Sequence, residues 1–217
     1  MSSREDILGR VRERLGRNAE NGRVAGLAIE ERLAAHRQGP RPQVVGDLAA
    51  RFVAKSQAQS STTDLLAEWH EVPAAVARYL AATGLPMRVV GWPLLSGHPW
   101  PEAGIVFEAR GAVDGDAVGI TGSYCAIAET GTLMLLSGSA TPATVSLLPE
   151  THVAVVAASR IVAGMEDAWN LARAELSELP RAVNFVSGPS RTGDIEQTIV
   201  LGAHGPYRVH VIVVAGA

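Results

Sequence analysis

One cysteine, one lysine and few aromatic residues limit what this 217-residue chain can do. Cys125 alone can form no internal disulfide, and it cannot furnish the thiolates of an iron–sulfur cluster or a zinc finger. Lys55 is the only amine available for a Schiff base or a lysine general base. Its polar, helix-like surroundings lack the burial or cationic neighbour that would activate it. No apolar run approaches the roughly 18–20 residues of a membrane span. The opening MSSREDILGRV lacks the order of a secretory signal, so a cytoplasmic protein is expected. Nucleotide and hydrolase signatures are missing as well. There is no Walker A loop, no G-x-G-x-x-G after a strand and no G-x-S-x-G elbow. No two histidines have H-x-x-x-H spacing, and His204 and His210 have no further His or Cys close in sequence. No metal site is assigned.

What remains describes a globular chain. A hydrophobic content of 47% and a net charge of −3 fit neither a polyanion binder nor a disordered tail. Eighteen of the nineteen basic residues are arginines, and nine of them fall at or before Arg41. That N-terminal part reads as a separate helical arm, residues 1–38. Ser2 and Glu5 have capping-box spacing, and Ile7, Leu8, Val11 and Leu15 recur at helical intervals. A second helix is expected from Val24 to Arg37, ended by the Gly/Pro linker that begins at Gln38. The interleaved acids and the missing aromatics favour an amphipathic arm, packed on the body or on a sister subunit, over a nucleic-acid-binding one.

Residues 43–217 alternate helices with short apolar runs. Helices are expected at Asp47–Gln59, Val72–Ala82, Met165–Leu179 and Asp194–Leu201. Strands are expected at Met87–Trp92, Ile105–Glu108, Ala117–Thr121, Ala126–Ala128, Thr132–Leu136, His152–Ala157, Ala182–Val186 and Arg208–Val214. Continuous apolar strands between helices imply an α/β fold with a mostly parallel sheet covered on both faces.

Two glycine-rich segments hold the candidate site. In Ser187–Pro206, a buried strand at Val183–Val186 is expected to open into a Ser-Gly-Pro-Ser-Arg-Thr-Gly loop. The next helix would be capped by Thr192 or Asp194. The N-terminus of that helix, with Ser187, Gly188, Ser190, Arg191 and Thr192, would then receive a carboxylate or phosphate. Asp194 and Glu196 serve equally well as plain helix starters, and Gly202 as the residue that ends the helix. His204 could fold over the crevice as a catalytic residue or simply hold a turn. In Gly119–Gly131, Glu129 stands at the edge of an apolar run before Thr130, Gly131 and Thr132. It could act as a general acid/base or nucleophile, or it could fix the turn through backbone N–H groups or an arginine. Cys125 reads as a small core residue rather than a nucleophile. Trp92 and Trp100, around the loop Ser96-Gly-His-Pro, either line a pocket or cover the edge of the core.

The strings A-I-A-E-T-G-T (126–132) and L-P-E-T-H-V-A-V-V (148–156), with Arg160-Ile161-Val162, belong together with S-G-P-S-R-T-G-D-I-E and G-A-H-G-P after 187. Together they resemble the lactate utilization protein C (LutC/YkgG) family of LUD-domain proteins. The resemblance implies a three-layer α/β fold like that of the NagB/RpiA/CoA-transferase superfamily over 43–217. It also implies a part in bacterial oxidation of L-lactate to pyruvate. The chain would bind no cofactor itself and would work beside iron–sulfur-containing subunits that carry the clusters. Other members of that superfamily act on phosphosugars or CoA thioesters, some through a strand-end glutamate. This keeps open a stand-alone enzyme using Glu129, and also a small-anion-binding module. The polar stretch Ser60–Asp64 departs from the pattern, since an apolar strand is expected there.

Overall fold

The structure is a computed structural model that describes residues 3–195 and 198–216. It divides into two compact units, Met1–Arg41 and Pro42–Ala217. The first unit holds α1 (Ser3–Arg14) and α2 (Ala19–Ala34). In α1, Glu5 and Asp6 lie in the first turn and Arg12 and Arg14 in the last, each favourable to the helix dipole. The cap residue Ser2 lies outside the described residues. Helix α2 starts five residues earlier than expected because Asn18 and Asn21 cap each other. Asn21 N–H donates to the Asn18 side chain at 2.8 Å, and Asn18 N–H donates to that of Asn21 at 2.7 Å.

The second unit begins with α3 (Leu48–Ala58), β1 (Thr62–Leu66), α4 (Val72–Thr83), β2 (Arg88–Gly91), β3 (Val106–Ala109) and β4 (Val118–Thr121). Next come β5 (Cys125–Ile127), β6 (Thr132–Leu136), α5 (Thr144–Leu147), β7 (Thr151–Ala157), β8 (Ile161–Val162) and α6 (Met165–Glu175). The chain closes with β9 (Val183–Val186), β10 (Arg191–Ile195), β11 (Thr198–Leu201) and β12 (Arg208–Val214). Asp47 caps α3, its carboxylate accepting from Ala49 N–H at 2.8 Å and Ala50 N–H at 3.3 Å. Asp47→Ala is expected to cost about 1 kcal/mol, read as a lower urea midpoint at unchanged slope.

Six strands form a sheet in the order β1-β12-β7-β4-β2-β3, every pair parallel. Alternate side chains enter opposite cores, as strand geometry requires. Val153, Val155, Ile120 and Ile212 pack beneath Val72, Val76 and Leu80 of α4. Ala154, Val156, Val211 and Val213 face the other way, against Phe52 of α3 and Ala126 and Leu133 of a second sheet. That second sheet, β8-β5-β6-β9, packs its outer side on Ala168 and Ala172 of α6 through Cys125, Ile127 and Met134. The mostly parallel α/β architecture is as expected, and sheet as well as helix covers one face.

Three local expectations are corrected. Asp194–Leu201 is not a helix: β10 and β11 pair antiparallel, Arg191 opposite Leu201 and Thr192 opposite Val200. The Thr-Ile-Val run at 198–200 is β-branched throughout, which suits a strand better than a helix. Glu196 lies outside the described residues. Val183–Val186 is a strand, but half-buried and antiparallel to β6 at the edge of the second sheet, outside the parallel one. The polar stretch after Ser61 is strand β1 after all, and its polarity fits an edge strand with one neighbour.

Candidate functional site

The two glycine-rich segments meet. β6 pairs with β9 so that Leu133 stands opposite Val186, which sets Thr132 and Ser187 side by side. Thr132 Oγ1 lies 2.7 Å from Ser187 Oγ and 2.7 Å from Thr130 Oγ1, a chain of three hydroxyls. Both segments are clamped on the last turn of α3. Gly131 has φ +69°, and a Cβ there would stand 2.4 Å from Ser56 N. The Ser56 hydroxyl donates to Gly131 O at 3.3 Å. Gly188 has φ +75°, and a Cβ there would lie 2.2 Å from Gln59 O. Arg191 donates through Nη2 to Gln59 O at 3.0 Å and to Ser60 Oγ at 2.5 Å.

The return of the chain completes the enclosure. Ser190 N–H donates to Pro206 O at 2.8 Å, and Gly202 N–H donates to Ser190 O at 2.9 Å. Between them is a cleft of about 320 Å³ lined by Ser187, Gly188, Ser190, Arg191, His204 and Val209, among others. His204 is exposed at the rim. Thr130 and Thr132 connect to the cleft through the Ser187 hydroxyl, Gly131 is not among the lining residues, and Thr192 is buried in the hairpin. Glu129 is not among the lining residues. It is half-buried in the β5–β6 turn, where its N–H donates to Ala163 O at 3.0 Å.

The correction to β10 also changes how an anion would be held. Among the described residues no helix N-terminus lines this cleft, so hydroxyls, the Arg191 guanidinium and the His204 imidazole are its polar equipment. The hydroxyl beside Ser187 is that of Thr132, neither an imidazole nor a carboxylate. The arrangement is suited to hydrogen bonding rather than to activating a nucleophile. Val209, at the start of β12, places the cleft near the amino ends of the parallel strands.

Cys125 is fully buried, with its sulfur 3.7 Å from that of Met134, and burial pushes its thiol up to about 11. It is a core residue. Trp100 is also core, stacked on Phe107 at 4.7 Å with its N–H on Leu95 O at 2.8 Å. A polar triad went unread in the sequence. Arg160 forks onto Glu175 at 2.6 and 2.8 Å, and the Tyr124 hydroxyl donates to Glu175 at 2.7 Å. The Arg160 hydrogen bonds hold Glu175 down to about 2, and burial raises Tyr124 to about 12. The only local sign was the Arg-Ile-Val string, because its partners lie 15 and 36 residues away.

The LUD domain matches residues 108–214, a span that takes in both segments and the cleft between them. Lactate utilization protein C of Bacillus licheniformis is 30% identical over 236 residues, covering 98% of this chain and 96% of that protein. The chain belongs to the lactate utilization protein C family. The lactate utilization protein C of Geobacillus sp. is 42% identical over 100 residues, which is 45% of this chain and 42% of that protein. That of Bacillus subtilis is 40% identical over 101 residues, again 45% of this chain and 42% of its relative. A crystal structure of a DUF162 family protein from Deinococcus radiodurans superposes with a TM-score of 0.59 at 26% identity. The match covers 80% of this chain and 99% of that one. Among the described residues of this family member, no helix is long and apolar enough to cross a membrane.

Proposed function

We propose that this chain serves lactate utilization as a subunit or accessory protein in the oxidation of L-lactate to pyruvate, beside iron–sulfur-containing partners. The observation that carries this reading is the 30% identity, nearly end to end, with a protein named for lactate utilization. The Ser187 cleft supports it chemically. Hydroxyls from Ser187 and Ser190 with the Arg191 guanidinium at the rim suit a small hydroxy- or oxo-carboxylate, which accepts charge-assisted hydrogen bonds through its carboxylate. The donor set supports clusters held by the partners. A cluster takes four thiolates, and this chain has one cysteine, buried beside Met134. Iron–sulfur chemistry therefore belongs to the partners in this reading.

The test is genetic first and calorimetric second. Deleting the gene is expected to abolish growth on L-lactate while growth on glucose continues. Complementation with Ser187→Ala/Arg191→Ala is expected to restore it poorly. In the purified chain the double variant should bind L-lactate or pyruvate about tenfold or more weakly, since it removes both a hydroxyl and a guanidinium donor. Undiminished growth of the deletion strain on L-lactate would overturn the reading.

A further inference from the structure

The Ser187 cleft is larger than lactate requires. L-Lactate has six non-hydrogen atoms. At the roughly 30 Å³ that a water molecule occupies in the liquid, six such atoms fill about 180 Å³. The cleft holds about 320 Å³, so nearly half of it stays unfilled around lactate. Small-molecule sites bury most of their ligand's surface, and this one has room for a longer acid.

Its lining is of two kinds. Ser187 and Ser190 bring hydroxyls, Arg191 a fixed positive charge and His204 an imidazole. The Arg191 guanidinium is held in place through Nη2, which donates to Gln59 O and Ser60 Oγ. Among the described residues no carboxylate lines the cleft, so an anion meets no repulsion at contact. The rest of the lining is largely apolar. Leu147, the last residue of α5, and Phe185 of β9 both belong to it. These large hydrophobic side chains are left open to solvent, at 42% and 37% exposure. Trp169 steadies Phe185 edge-on at 5.7 Å. A ligand that covers such surface is favoured in proportion to the apolar area it removes from water. Gly205 stands between Ser190 and Leu147. A Cβ there would lie 3.5 Å from Ser190 Cβ, 3.7 Å from Ser190 Oγ and 3.8 Å from Leu147 O, all ordinary contacts. Packing does not demand glycine at this position, and glycine keeps the space between the Ser190 hydroxyl and Leu147 free of side-chain atoms.

We propose that the Ser187 cleft takes a 2-hydroxy or 2-oxo monocarboxylate with an apolar tail of about three to five carbons, in preference to lactate itself. The carboxylate lies against Ser187, Ser190 and Arg191, where it accepts charge-assisted hydrogen bonds. The tail passes Gly205 and covers Leu147 and Phe185. The 2-hydroxy or 2-oxo group rests on the lactate reading given above, whereas the tail rests on the size of the cleft and its apolar lining. Lactate is then the smallest acid of the class, held by its head alone.

The experiment is calorimetry on the purified chain with L-lactate and with L-2-hydroxy-4-methylpentanoate, the same head on a branched tail longer by three carbons. The longer acid is expected to bind about tenfold more tightly. Gly205→Val fills the space between head and tail, and should bring the two acids to parity. Leu147→Ser, at an exposed position, should cut the advantage to about threefold or less and guards against a folding defect in the first variant. Lactate binding as tightly as the longer acid, or an advantage undiminished in Leu147→Ser, would overturn the tail assignment and leave the lactate reading in place. That reading fails separately, through undiminished growth of the deletion strain on L-lactate while the tail preference persists. Binding of neither acid would overturn the cleft as a carboxylate site, and the tail with it.

Discussion

Acidification from about pH 7 to about pH 4 is expected to remove roughly 3 kcal/mol of folding stability through His152 alone. His152 stands in the middle of the sheet and is fully buried. Its Nε2 is 2.8 Å from Thr121 Oγ1, and its Nδ1 has no partner among the described residues. Burial holds the imidazole down to about 4, against an ordinary 6.5. Between those values the unfolded chain takes up a proton that the folded chain refuses. The contribution is therefore complete above about pH 6.5 and is lost as pH falls toward about 4.

His210 acts in the same direction. Its ring is buried against Tyr79 at 4.1 Å, with Nδ1 2.8 Å from Thr62 Oγ1. Burial lowers its pKa, and the Asp64 carboxylate 3.8 Å from Nε2 only partly opposes this. Carboxylates such as Glu175, held near 2 in the folded chain, contribute stability that is lost only below about pH 4.5, in a separate window. Urea unfolding at a series of pH values checks the expectation. The wild type should lose stability steadily below about pH 6.5, and His152→Gln should remove about half of the slope. A wild-type profile that stays flat to about pH 5 would rule the mechanism out.

Gly188→Val is expected to cost about 3 kcal/mol and to disable the Ser187 cleft. Two effects add. A left-handed φ of +75° penalises any β-carbon, and this one would also meet the Gln59 carbonyl oxygen at 2.2 Å. Neither neighbour can give easily, because Gln59 ends α3, whose last turn also carries the Gly131 contact. Relief requires the loop to lift, which separates Ser187 from Thr132 and Arg191 from Gln59. Thermal unfolding should show a midpoint lower by about 6–12 °C if the domain behaves as one of ordinary size. Binding of L-lactate or pyruvate at the cleft should fall with it. A variant as stable as wild type would mean that the loop is not anchored on α3.

What could be read without the fold was whatever depends on near neighbours. Apolar runs marked β2, β4, β7 and β12, because strands buried on both faces read as continuous hydrophobic stretches. The single cysteine could be read as too few thiolates for a cluster, and the Ser-Gly-Pro-Ser-Arg-Thr-Gly string marked the family and the loop that lines the cleft. The helix expected at Asp194 is replaced by a hairpin because the β-branched run at 198–200 outweighs the capping residues before it.

The tertiary structure alone decided the rest. Thr132 and Ser187 are 55 residues apart, Ser56 and Gly131 are 75 apart, and Arg191 and Gln59 are 132 apart. No local pattern encodes such pairs. The second sheet follows the same logic: β9 looks like any other short strand until its partner, β6 rather than β12, is known. The order of the parallel sheet is decided there as well, since β4 lies beside β2 while β3, which comes between them in the chain, forms the edge. That is a property of topology, whereas composition and spacing record only which residues each strand can bury.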